Sequence, residues 1–97
     1  MKNRFSLLLS VRTRKGFEVC GEYEIGNSKV ASEELFRTLR GSIFPSDAAC
    51  LHIDLMETVN GLPEKVETKC CSLDEFCANT KLIIKEIFRM KTLEECL

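Results

Sequence analysis

The chain reads as an α+β two-layer sandwich in the order ββαββα, a four-stranded antiparallel sheet with two helices on one face. Three observations predict it: stretches of alternating polarity come in two pairs, a helical stretch follows each pair, and the element lengths agree. Alternation sends successive side chains to opposite faces, so each extended stretch keeps one apolar side that helices can cover. Eighteen residues of helix span about 27 Å, and strands of eight to ten residues span about 27 to 33 Å, so the layers match.

The first strand is Arg4 to Thr13, where Phe5, Leu7, Leu9 and Val11 alternate with Ser6, Leu8, Ser10 and Arg12. Arg14-Lys15-Gly16 supplies a turn. Phe17 to Ile25 alternates again, with Phe17, Val19, Tyr23 and Ile25 expected inside and Glu18, Cys20, Glu22 and Glu24 outside, so the two stretches form a hairpin. After the Gly26-Asn27-Ser28 break, a helix capped by Asn27 or Ser28 runs to Arg40, with Ala31, Leu35, Phe36 and Leu39 inward and Gly41 in the left-handed C-cap position. Phe44-Pro45-Ser46-Asp47 connects to a third strand, Cys50 to Glu57, carrying Leu51, Ile53 and Leu55 on one face. Asn60-Gly61-Leu62-Pro63 turns the chain into a weaker fourth strand, Glu64 to Cys70, with Val66, Thr68 and Cys70 set against Lys65, Glu67 and Lys69. The strand-strand-helix pattern thus occurs twice, a topological echo without residue-level identity between the halves.

Ser72-Leu73-Asp74-Glu75 is a capping box that starts the last helix: the Ser72 hydroxyl takes the Glu75 amide and the Glu75 carboxylate reaches back. On that helix Met90, Ile83, Phe76, Ile87, Thr80, Leu73, Ile84, Cys77 and Phe88 share an arc of roughly 160°, wider than the stripe of an ordinary surface helix. The helix therefore packs against more than one surface, either the sheet with the other helix or a second subunit. Past Met90 the same wheel drops Lys91, Glu94 and Glu95 onto the arc, so the helix is expected to end there. Thr92-Leu93-Glu94-Glu95 offers a second short capping box, leaving residues 92–97 as a tail or extra turn.

Ninety-seven residues, 44% hydrophobic and 30% charged with two prolines, fit a single domain over 1–97 with one core. The formal charge of −1 predicts neither a polyanion nor a membrane surface as partner. Lys2, Arg4, Arg12, Arg14 and Lys15 make the amino-terminal end basic, read as a solvated strand and turn. That end does not make a secretory signal, because its apolar run is short and cations follow where a cleavage site should be. No stretch approaches a membrane span. The expected compartment is the cytoplasm, where Cys20, Cys50, Cys70, Cys71, Cys77 and Cys96 stay reduced.

Gly16-Phe17, Leu39-Arg40-Gly41, Leu55-Met56-Glu57-Thr58, Gly61-Leu62-Pro63, Leu73-Asp74-Glu75 and Lys85-Glu86-Ile87-Phe88-Arg89 carry a resemblance. From Gly16 to Glu95 the chain resembles a family of small uncharacterised bacterial proteins of unknown function. The resemblance implies a bacterial, cytoplasmic, single-domain protein and no activity, substrate or cofactor.

By strand parity the open sheet face holds Ser6, Leu8, Ser10 and Arg12, then Glu18, Cys20, Glu22 and Glu24, then Cys50, His52, Asp54 and Met56, and finally Lys65, Glu67 and Lys69. Cys50 and His52 share one side of a strand, and Cys20 and Cys71 are expected on that side too, so these four are the candidate zinc ligands. Cys-x-x-Cys spacing is lacking. Cys71 precedes a helix N-cap, where the dipole favours a thiolate, with Cys70 or Cys77 as resolving partner. No hydroxyl or thiol has an assured base, and the scattered glycines build no phosphate loop. An open face without stacking aromatics speaks against RNA.

These readings converge on a small cytoplasmic protein-protein interaction or regulatory domain without catalytic activity or cofactor, self-associating as a homodimer. Its expected interface residues are Leu8, Met56, Leu93 and Leu97. The alternative is a thiol-redox or zinc protein using Cys71 or Cys50 with His52, and a nucleic-acid accessory role ranks third.

Overall fold

The computed structural model describes residues 3–43 and 50–96, the last four by backbone alone. The elements are β1 (Arg4–Thr13), β2 (Gly16–Gly26), α1 (Lys29–Thr38), β3 (Leu51–Val59), β4 (Leu62–Cys71) and α2 (Leu73–Cys96). The strands form one antiparallel sheet in the order β2-β1-β3-β4, so each hairpin stays intact and the two hairpins join through their first strands. Phe5, Leu7 and Leu9 of β1, Leu51, Ile53 and Leu55 of β3, Phe36 of α1, Leu39 just beyond it, and Ile83 of α2 share one core. Both helices therefore cover the same sheet face, and the α+β architecture is the one expected from sequence.

Local chemistry closes each element. In the first hairpin the Thr13 hydroxyl accepts the Lys15 amide at 3.2 Å and donates to the Gly16 carbonyl at 2.8 Å, with Gly16 at φ +108°. In the second, Asn60 (φ +53°) and Gly61 (φ +81°) are both left-handed, the conformation of a type I′ turn that matches strand twist. Ser28 caps α1 by accepting the Ala31 amide at 3.2 Å. The box at α2 is formed as its residues predict: the Ser72 amide donates to Glu75 at 2.9 Å, and the Glu75 amide to the Ser72 hydroxyl at 3.3 Å.

The register departs from simple alternation at two matching places and, between Phe5 and Ser6 of β1, at a third where Ile25 of β2 is left without a register partner. Leu9 pairs with Gly21 but Ser10 pairs with Val19, which leaves Cys20 bulged from β2. Leu55 pairs with Glu67 but Met56 pairs with Lys65, which leaves Val66 bulged from β4. Cys20 and Val66 stand 46 positions apart, and so do the loops Arg14-Lys15 and Asn60-Gly61. The halves therefore repeat a hairpin of the same loop length with the same bulge, related by a pseudo-two-fold axis between β1 and β3.

These bulges correct the expected faces. One extra residue exchanges the two sides of everything on one side of it. Phe17 pairs with Arg12 and Val19 with Ser10, so both lie on the open face, while Glu18 pairs with Val11 on the helix side. On β4, Thr68 pairs with Asp54 and Cys70 with His52 on the open face, whereas Glu67 and Lys69 go to the helix side opposite Leu55 and Ile53. The Lys69 ammonium is accommodated because it donates to the Leu39 carbonyl and to the Phe36 carbonyl, which also accepts the Leu39 amide, at the end of α1, 4.8 Å over the Phe36 ring. Burial lowers its pKa, opposed by the nearby Glu67 carboxylate and by Cys71.

Two helix ends also differ from expectation. Leu39, in extended conformation, caps α1, and Gly41 does another job. At φ +146° it lets the chain run against β4, where a Cβ would lie 2.9 Å from the Cys70 carbonyl oxygen. Ser42 then exchanges backbone hydrogen bonds with Cys70 at 2.9 and 2.7 Å, pairing with the outer edge of β4. The last helix does not end near Met90 but continues to Cys96. Lys91 costs nothing there because this flank of α2 is left uncovered and the side chain stays exposed.

Candidate interaction surface

On the open face, β1 and β3 supply the middle and β2 the most exposed apolar groups. Ser10 is flanked in register by Val19 and His52, and its small side chain leaves room for Phe17 of β2 to reach across β1. Phe17 stacks on His52 with ring centroids 3.7 Å apart and an interplanar angle of 13°, and the Arg12 guanidinium lies 5.9 Å from the Phe17 centroid. Ser10 is buried. Beside it Asp54, only 8% exposed, accepts from the Thr68 hydroxyl at 2.6 Å, with Lys65 at 3.9 Å. A buried carboxylate is tolerable here because a hydroxyl and a cation meet it. Around these groups Leu8 and Met56 are half-buried, and Phe17 and Val19 are 43% and 62% exposed.

Charge divides this face along the strands. Arg12, Arg14 and Lys15 gather at the tip of the first hairpin. Toward the opposite end of β2, Glu22 pairs in register with Leu8 and Glu24 with Ser6, and Glu24 holds Arg4 at 3.2 Å.

The thiol and metal candidates do not come together. Cys50 and His52 are on the open face and Cys20 is exposed in its bulge, but Cys71, opposite Leu51, is buried on the helix side. Among the described residues no group of three or more metal-ligating side chains converges. Cys71 is also the wrong thiol for nucleophilic chemistry: burial, and then the Glu75 carboxylate, push it up to about 11, where it stays protonated at neutral pH. The Cys71 thiol donates instead to the Arg40 carbonyl at 3.3 Å.

Sequence reasoning missed the residue beside it. Asn79 is fully buried; its carbonyl accepts the Arg40 amide and its amide donates to the Arg40 carbonyl, both at 2.7 Å, with a second contact of 3.6 Å to Cys71 Sγ. Asn79 thus does for Arg40 what a neighbouring strand would do, and ties α2 to the segment leaving α1. Its position one helical turn before Ile83, on the inward line of α2, was the available signal.

The second exposed apolar region is the outer flank of α2. The expected wide arc is only partly covered: Ile83 is buried and Phe76 and Ile87 are half-buried, whereas Leu73, Ile84 and Phe88 stay exposed, Phe88 at 71%. Tyr23, Ile84, Ile87, Phe88, Lys91 and Thr92 line a groove of about 400 Å³ there. A neighbouring depression of about 480 Å³ has Ala78 and Leu82 in its floor and Arg40, Lys81 and Lys85 around it. Of the expected interface residues, Leu8 and Met56 are on the open face; the Leu93 side chain and Leu97 lie outside the described residues.

No helix among the described residues is long and apolar enough to cross a membrane. Compared with known protein families, curated proteins and solved structures, the chain matches none. The functional reading therefore rests on the residues themselves.

Proposed function

We propose that this is a small, non-catalytic cytoplasmic interaction domain whose partner is a protein, in the first place another copy of itself. The observation that carries the reading is a set of apolar side chains: Leu8, Phe17, Val19 and Met56 share the sheet face that neither helix covers among the described residues. Contiguous exposed apolar surface with polar residues at its margin is a common mark of protein-protein contact. The alternative centred on Cys71 loses support because that thiol is buried and held protonated.

Sedimentation equilibrium over a concentration series tests this. A reversible monomer-dimer transition in the micromolar range is the expected result, and a monomer persisting to high micromolar concentration would refute self-association. The nucleic-acid reading gains one observation, an aromatic on the open face, but one side of the Phe17 ring is already taken by His52. Titration with labelled single-stranded RNA separates the two, since phosphate binding would weaken steeply with salt.

A further inference from the structure

We propose that two copies stack open face to open face about a two-fold axis lying between the sheets and perpendicular to the strands, with each hairpin tip over the acidic end of the other copy's β2. The inference rests on the self-association reading and adds the face, the symmetry and the pairing of charges.

Charge complementarity selects this arrangement. The two-fold reverses strand direction, so Arg14 and Lys15 of one copy come to the end of the other where Glu22 has no ion pair among the described residues and Glu24 already holds Arg4, and the same contact forms twice. An isologous contact of this kind closes on itself as a dimer. A two-fold parallel to the strands would instead lay β2 over the other copy's β4 and take each tip away from the acidic end of β2.

The flank of α2 is the other apolar surface, and its charges disfavour a second copy. Arg40, Lys81, Lys85 and Lys91 border it, and none of them forms an ion pair among the described residues. Two such flanks would bring cations together at an apolar seam, where like charges cost more than in water.

Area and shape also suit the open face. Four strands about 4.8 Å apart, with the nine residues of β3 at about 3.4 Å each, present roughly 600 Å² before side-chain relief is counted. A stable interface takes about 800 Å² from each partner. Stacked sheets pack about 10 Å apart with side chains interleaved, and the small Ser6 and Ser10 beside Leu8, Val19 and Met56 provide the alternation of hollow and knob that interleaving needs.

The experiment is a set of dissociation constants from sedimentation equilibrium at low salt, with circular dichroism confirming that each variant is folded. Val19→Glu, on the open face, is expected to weaken the dimer by about tenfold or more, and Phe88→Glu, on the flank of α2, to leave it within about twofold. Arg14→Glu and Glu22→Lys are each expected to weaken it several-fold, and the double variant to recover most of the wild-type affinity. The reverse result for Val19 and Phe88 would overturn the choice of face. A double variant at least as weak as the product of the single effects would overturn the two-fold while leaving self-association standing. A monomeric wild type would remove both.

Discussion

The two faces of this sheet use the same strands for opposite purposes. Beneath the helices, Leu7, Ile53 and Leu55 are completely buried, Cys71 is sealed in, and the polar Asn79 and Lys69 are matched to backbone groups at and just beyond the end of α1. On the other side, small serines, one buried aspartate and a stacked aromatic pair leave apolar atoms facing outward. The fully buried apolar side chains are concentrated on the first face, which leaves the second as the surface on which the proposed self-association depends.

The sharpest way to break that contrast is a pair of truncations. Ile53→Ala removes a fully buried side chain and is expected to cost about 2 to 5 kcal/mol in urea unfolding. Val19→Ala, on the same sheet but the open side, should change stability of the monomer by no more than about 0.5 kcal/mol. Comparable losses at both positions would mean that the open face is part of the folding core.

Asn79→Leu comes next. It keeps side-chain bulk but leaves the Arg40 amide without its partner and the Arg40 carbonyl with the Cys71 thiol alone, for an expected loss of about 1 to 3 kcal/mol, with faster amide exchange at Arg40. Unchanged exchange there would show that the clamp is dispensable.

Alkaline pH tests the sealed thiol. The ordinary thiol value of 9.0 is raised to about 11 in the fold, so the folded state favours the protonated form. The unfolded chain therefore loses this proton first, and stability should fall by about 2 kcal/mol as pH rises through that window. Lys69, with its pKa lowered, acts in the opposite sense, so Cys71→Ala should leave a flatter or rising profile. A thiol reagent at neutral pH should modify the exposed Cys20 and Cys50 well before Cys71.

The smallest expected effect is a gain. The buried Ser32 hydroxyl of α1 has no hydrogen-bond partner among the described residues, so Ser32→Ala should raise stability by up to about 1 kcal/mol.

The order of elements, the hairpin turns and the Ser72-Glu75 box were legible because each depends on residues close together in the chain. Alternation in β1 and β3 likewise assigned Leu7, Leu9, Ile53 and Leu55 to the core. The placement of Phe17 was not legible, since it turns on a single extra residue at Cys20, and a bulge residue of that type leaves no compositional trace. The same slip at Val66 hid the inward course of Lys69. That hidden parity put Phe17 and Val19 on the surface, where the proposed interface draws on them, rather than in the core. Gly41 misled for a different reason, because a glycine serving a close approach to β4 looks like one serving a helix end.

The join between β1 and β3 has a further implication. Each half presents to the other the strand edge that an identical half would present, and nothing in that pairing demands that both belong to one polypeptide. The stretch from Gly41 to Cys50 alone keeps them in the same molecule. Shortening it until β3 no longer reaches β1 should convert the protein into an intertwined pair that exchanges carboxy-terminal halves, with two complete cores rebuilt from shared parts.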